Sequence, residues 1–452
     1  MEQNPMTVVT EVIPDRLEEL RGYLKAIGDD IKNNNVIHFS DYNYLHYCCF
    51  IIIEDEHPPT GSVTAAPILV FEANIDGTVT DFLADLFQRN PDFMRKVYGC
   101  CQGYTADIQA LSTFLQANDR GANAFYIAHP GQNRQVIEYE SSLRSAIESY
   151  IDTNRPELTN LPPEQIKKKI YEHLETTIPG FKDKKPLPPS FLLKNGATIW
   201  TGIGFIAVVA LITIVLAAFG LIGSVGVKLL SWGVIGAIFL YLFCLRRKES
   251  TDIQDERMQW DSPYIKDLQE VEDRQPQNHL SSIIYVKPGK FRLMTLATVL
   301  FFINVVAKLT ATQGNLSGIV TIHFARWIIL PGKGNERTRL LFFSNYDGSW
   351  ENYLGEFIDH ASVGLTAVWS NTESGTDRGF PDTQWLALKG GARDEQRFKV
   401  FARNSQRREL IWYSAYPDLS VKNIGNNQKI HQGLFSEPEL SGPELSAWLN
   451  RL

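Results

Sequence analysis

Two long uncharged runs constrain this chain more than any other feature. From Ala197 to Ile222 it reads ATIWTGIGFIAVVALITIVLAAFGLI, without one charged residue. At 1.5 Å per residue, a helix of that length crosses a hydrocarbon core of about 30 Å. After GSVG a second run, VKLLSWGVIGAIFLYLFCL, ends at Leu245, and its one charge, Lys228, lies near enough to the end to reach water. Two buried helices of a soluble domain would be the alternative, but charge-free runs of this length are rare in soluble cores. KDKK (182–185) and Lys194 precede the first run, while Arg246, Arg247 and Lys248 follow the second. The positive-inside rule then places both flanks in the cytoplasm. The expectation is an integral membrane protein with two spans, a hairpin over 197–245, and both soluble domains cytoplasmic.

A third apolar stretch, LMTLATVLFFINVVAKL from Leu293, is shorter, contains Asn304 and is bounded by Arg292 and Lys308. It is read as an amphipathic interfacial helix within 284–312 rather than a third span, with Lys287, Lys290 and Arg292 among anionic headgroups.

The 452 residues suffice for roughly two to three domains, and the net charge of −7 argues against nucleic acid as a partner. Cysteines at 48, 49, 100, 101 and 244 form neither a disulfide framework nor a C-x₂-C metal spacing. They read as buried reduced thiols, and no metal is assigned. The first residues lack the basic and apolar pattern of a signal peptide.

The soluble parts echo each other. LHYCCFIII (45–53) resembles IHFARWIIL (322–330). PILVFEANIDGTVTDFLADLF (67–87) matches RLLFFSNYDGSWENYLGEFI (339–358), and YIAHP (126–130) matches YSAYP (413–417). Three landmarks in one order point to an internal duplication split by the hairpin. The second copy reads as strand TIHFARWIIL, strand TRLLFFSNY, helix WENYLGEFIDHA, strands GLTAVWSN and TQWLAL, helix ARDEQRFKVFARNSQ and strand RELIWYSAYP. Without its first strand this is β-α-β-β-α-β, the ferredoxin-like order. The first copy is similar, with one strand near VYGCCQGY short or lost. The fold class expected is α+β: two ferredoxin-like repeats, 1–155 and 313–452, pairing through their sheets as an α+β barrel. A linker over 156–196 and a polar return over 246–283 would flank the hairpin.

His323, Arg326, Asn345 and Asp347 gather in the second copy, with Trp369, Asn371 and Arg378 on later elements. An Arg beside an Asp can polarise an anion or peroxide, because guanidinium offers a fixed fork of donors. Asn-x-Asp-Gly-Ser/Thr is equally what a strand-to-helix turn requires. Residues 323 and 326 of a strand face opposite ways unless a bulge intervenes, and His323 reads more readily as a hydrogen-bonded core histidine than as a metal ligand. His360 is placed at a helix end, and His57 and His431 in no assigned element. No G-x-S-x-G, P-loop, H-E-x-x-H or dinucleotide fingerprint occurs.

The stretch from VKPGKFRL through IHFARW, LLFFSNYDGSWENYLGEFID, GLTAVWSNT, GARDEQRF and WYSAYPDLSVKNI resembles a family of largely uncharacterised bacterial proteins over most of 284–425. More distantly, paired ferredoxin-like units resemble the dimeric α+β barrel superfamily, which includes dye-decolourising peroxidases and chlorite dismutases. That resemblance implies haem as cofactor, a distal Asp and Arg (Asp347 and Arg326), and a proximal His for which His323 and His360 are candidates. NIDGT and NYDGS share only the Asp-Gly part of the peroxidase motif and lack its leading Gly. The expectation is a membrane-anchored, cytosol-facing barrel acting as a peroxidase-like oxidoreductase on an apolar or membrane-derived molecule. The alternative is a non-catalytic membrane scaffold or lipid-binding module. Expected partners are membrane lipid, an apolar small molecule and further copies of the chain as a homo-oligomer.

Overall fold

The computed structural model describes residues 2–452 except 56–58, 60–61, 187–190, 220–221, 253–262, 273–274, 311–313, 317, 374–378 and 437–438, so His57 and Arg378 lie outside the described residues. The chain is mixed α+β with antiparallel sheets. Its first part runs β1 (Gln3–Glu11), α1 (Leu17–Asp29), β2 (Leu45–Ile53), β3 (Ile68–Asp76), α2 (Val79–Arg89), α3 (Pro91–Tyr98), α4 (Ile108–Ala117), β4 (Ala124–Ile127) and α5 (Arg134–Leu158). Then come α6 (Pro163–Thr177), α7 (Phe191–Ala218), α8 (Val225–Glu249) and α9 (Pro263–Val271). The last part runs β5 (Gln277–Val286), α10 (Lys290–Thr310), β6 (Ile322–Leu330), β7 (Arg339–Asp347) and α11 (Trp350–Trp369). It continues with the short strands β8 (Thr372–Glu373), β9 (Thr383–Gln384) and β10 (Lys389–Gly390), α12 (Glu395–Ser405), β11 (Gln406–Arg407), β12 (Ile411–Ser414), α13 (Val421–Leu434) and α14 (Gly442–Leu449).

The first sheet has the order β1-β3-β2-β12 and the second β11-β5-β7-β6-β4, with β8 also on β5. Each therefore takes its strand beside the His-bearing β2 or β6 from the other part of the chain. Tyr413 pairs with Cys48 in β2, and Tyr126 pairs with Ala325 in β6. The period of two sorts each strand between two cores. Cys48, Phe50, Leu69 and Phe71 face α1–α4, while Leu280, Trp327, Leu340 and Phe342 face α10–α12. Between the sheets lie Val9, Ile51, Ile53, Ile68 and Val70 against Ile283, Ile328, Leu330, Leu341 and Phe343. Helices, sheet, sheet and helices thus stack in four layers. Strands β2 and β3 are buried along their whole length, which is why CCFIII is a continuous apolar run rather than an alternation.

Several expectations are corrected. GLTAVWSN is not a strand: α11 runs on to Trp369, because Leu365, Val368 and Trp369 recur at helical spacing and bury against the second sheet. His360 is therefore mid-helix and exposed. The second part begins at Gln277, so the boundary at 284 cuts through β5. Helix α10 occupies the place that α1 has after β1; its Leu296, Leu300 and Ala307 cover the second sheet, and its Met294, Phe301 and Phe302 are exposed. The linker after 156 is not wholly solvated, since Ile170, Leu174 and Phe181 pack with Leu143, Ile147 and Trp448.

Among the described residues, two helices are long and apolar enough to cross a membrane, α8 and α10, and a shorter apolar segment is Val209–Ala218 in α7. Helix α8 leaves Leu229, Leu230, Phe239, Leu240 and Phe243 uncovered by protein. Helix α7 packs along both α8 and α10.

Candidate functional site

His46 and His323 are each the second residue of a strand, and each sits at a β-bulge: the register skips between Leu45 and Tyr47, and between Ile322 and Phe324. A bulge adds an unpaired residue and re-aims its side chain. His323 Nε2 lies 2.7 Å from Asp347 Oδ1, and Asp347 Oδ2 accepts the Val421 N–H at 2.7 Å. His46 Nε2 lies 3.1 Å from Asp76 Oδ1, and Asp76 Oδ2 accepts the Arg134 N–H at 2.8 Å. Val421 and Arg134 open α13 and α5, capped by Ser420 and Asn133, so each Asp also meets the positive end of a helix. Gln3 pairs with Asp76 and Gln277 with Asp347 across the neighbouring strands. Gln3 donates to Gln132 O at 2.7 Å, and Gln277 to Leu419 O at 2.6 Å. The Tyr416 hydroxyl closes on His46 Nδ1 at 2.8 Å.

The bulge removes the objection that His323 and Arg326 face opposite ways, yet the two do different work. Arg326 is fully buried between the sheets. Its guanidinium reaches Met6 O at 2.6 Å, Ala73 O at 2.9 Å, a Glu72 carboxylate oxygen at 2.7 Å, and Asn74 Oδ1. Burial lowers its pKa and the Glu72 charge opposes that. Asn345 accepts from Trp412 Nε1 at 3.0 Å. Asn371 accepts from Arg292 at 3.4 Å, and Trp369 packs edge-on to Phe342. His360 lies against the backbone of Gly318.

These residues do not fit a haem. The Nε2 that would ligate iron already meets Asp347, that carboxylate also holds Val421, and Arg326 spends its donors on three carbonyl or amide oxygens and Glu72. Aliphatic and aromatic side chains fill the space between the sheets.

A second cluster lies in that inter-sheet layer. Ligand atoms of Cys49 on β2, Glu72 on β3 and His279 on β5 lie within 4.8 Å of one another, and all three residues are buried. His279 Nδ1 contacts Glu409 Oε1 at 2.8 Å, and its ring lies parallel to Phe343. Among the described residues, His279 Nε2 and Glu72 Oε2 have no hydrogen-bond partner. Burial, followed by the Glu72 charge, holds the Cys49 thiol well above its ordinary pKa. Sequence reasoning missed His279 and Glu72. The available signal was a carboxylate inside ILVFEANI, a strand otherwise apolar but for Asn74, because a buried charge needs partners.

Comparison with protein-family models, curated proteins and solved structures gives no match. The functional reading therefore rests on the geometry of this chain.

Proposed function

We propose that this chain is a membrane-anchored module in which one β-α-β-β-α-β unit occurs twice. Reciprocally exchanged closing strands bind the copies into an α+β barrel, and the α7–α8 hairpin holds that body at the cytoplasmic face of a bilayer as a non-catalytic, lipid-contacting scaffold. The recurrence of the bulged His, its Asp partner and the Gln opposite that Asp supports the repeat. The scaffold reading rests on how α8 joins the body. Glu249, in its last turn, has a side chain only 1% exposed and accepts the N–H groups of Trp385 at 2.8 Å and Leu386 at 2.6 Å. Both of those residues are in the left-handed region, with φ of 58° and 65°, an arrangement that costs bulky side chains roughly 1–2 kcal/mol each. Just beyond, Asp252 receives Lys287 at 2.7 Å and Arg292 at 2.5 Å. An apolar helix is thus bolted to a folded body rather than tethered by a loose linker. Around the joint, Phe239, Phe243, Arg246, Arg247 and Trp385 line one surface recess, the aromatic and basic mixture that suits an interface with anionic headgroups.

The test is extraction and protease protection of the full chain in sealed inside-out vesicles. Retention in the bilayer through alkaline washing, with both flanks cleaved from the outer face of the vesicle, is expected. Release by the wash, or protection of one flank only, overturns the reading. The peroxidase expectation lacks support from the geometry of Asp347, Arg326 and His323, and a Soret band in protein taken from its native membrane would restore it.

A further inference from the structure

We infer that Cys49, Glu72 and His279 form a binding site for a divalent, thiolate-preferring metal ion of the zinc class, buried between the two sheets. Three strands from two distant parts of the chain bring a thiol, a carboxylate and an imidazole together, with their ligand atoms within 4.8 Å of one another. Such a mixed sulfur, nitrogen and oxygen set favours zinc over magnesium or calcium, which take oxygen ligands. Two observations point to an occupant. The first is that His279 Nε2 and Glu72 Oε2 are buried and have no hydrogen-bond partner among the described residues, although orphaned buried polar atoms are costly. The second is that the other ends of both groups are fixed. Glu409 holds His279 Nδ1 at 2.8 Å, with Ser281 Oγ at 3.3 Å, and Arg326 holds Glu72 Oε1 at 2.7 Å. A carboxylate on the far nitrogen of a ligating histidine sets the tautomer and orients the ring, as in many zinc sites.

Arg326 opposes a cation, and the anionic groups around the site offset it. With Cys49 ionised, the thiolate, Glu72 and Glu409 carry three negative charges, and Arg326 with a divalent ion carries three positive ones. The occupied cluster is then neutral. The ion takes the place of the Cys49 proton, which leaves to solvent, so binding strengthens as pH rises. Three protein ligands leave one tetrahedral position for water. The Glu409 side chain, 17% exposed, marks the route in.

The test uses the full chain in detergent, stripped with chelator and titrated with cobalt(II) and then zinc(II). A thiolate-to-cobalt charge-transfer band saturating at one ion per chain and bleached by zinc is expected, with release of about one proton per ion. Cys49→Ser and His279→Gln should abolish the band. Glu409→Gln, which leaves all three ligands in place, should weaken binding by about 10–100-fold with the far-ultraviolet circular dichroism unchanged. A folded wild-type chain that gives no cobalt–thiolate band overturns the site, as does a band that survives Cys49→Ser. Because binding is measured away from a bilayer, either result leaves the membrane-scaffold reading to its own test.

Discussion

Asp347 joins His323, 2.7 Å away on the neighbouring strand, to the first N–H of α13. One carboxylate thereby ties a bulged strand to a helix that follows a strand of the other sheet, and Asp76 does the same for His46 and α5. Removing either carboxylate leaves a helix N–H without its acceptor and takes away the group that faces a buried imidazole. Asp76→Ala is expected to destabilise the body by about 1–3 kcal/mol, the cost of leaving buried polar groups unsatisfied. Asp347→Ala should cost less, because its side chain is 13% exposed against 1% for Asp76. Asp347→Asn keeps one acceptor and should recover part of the loss. Thermal unfolding in detergent measures all three, and an Asp347→Ala chain as stable as wild type would remove the lock from the account.

Arg326 and Glu72 form an ion pair with both side chains 1% exposed, so breaking it differs from replacing it. Arg326→Met alone should cost about 3–5 kcal/mol, since Glu72 is left charged and buried, whereas Arg326→Met with Glu72→Met should regain most of that stability. The measurement is a double-mutant cycle by denaturant unfolding in chelator, which keeps any metal at Glu72 out of the comparison.

Much of this architecture was legible because it obeys short-range rules. The matching His-aromatic strands and Asp-Gly turns stand at corresponding places of the two sheets, and CCFIII is a strand covered on both faces. What escaped depends on partners far away in sequence. GLTAVWSN carries strand-forming side chains but is held helical by the second sheet that Leu365 and Trp369 cover. The reciprocal pairing of Tyr126 with Ala325 and Tyr413 with Cys48 has no local signature, since either strand could have closed its own sheet. Arg326 was picked out for its chemistry, yet Met6, Ala73 and Glu72, which consume its donors, belong to the other part of the chain. The Cys49, Glu72 and His279 cluster was hidden for the same reason.

Glu249 predicts how tightly the membrane helix moves with the body. Glu249→Ala removes the acceptor that holds Trp385 and Leu386 in left-handed backbone, so the 383–390 segment should relax. Limited proteolysis should then cut near Leu388, which is 75% exposed, at least several-fold faster than in wild type, while the sheets stay intact by circular dichroism. Glu249→Gln keeps one acceptor oxygen and should fall between the two. Equal cleavage rates in all three chains would show that the carboxylate does not hold this joint.

His129 gives the molecule a dependence on pH whose direction follows from its surroundings. The ring stands just after the end of β4, with Nε2 2.9 Å from Val421 O, so the neutral ring donates there. Burial, the largest influence, pushes its pKa down from 6.5 to about 4. The Val421 carbonyl opposes that, His323 and Lys429 add to it, and Asp347 weakly opposes it. The Gly314 backbone also packs against the ring. A histidine held neutral in the folded state binds its proton more readily when unfolded. Its contribution is therefore complete above pH 6.5, falls as pH drops from 6.5 towards 4, and levels off below that. At about 1.4 kcal/mol for each pH unit, the full loss is roughly 3 kcal/mol. His129→Gln retains a donor for Val421 O but cannot titrate. The difference in unfolding free energy between wild type and this variant should narrow or reverse in favour of the variant between pH 7 and pH 4, even as carboxylates elsewhere titrate in both. Parallel stability curves for the two chains across that range would mean that His129 is not held neutral by the fold.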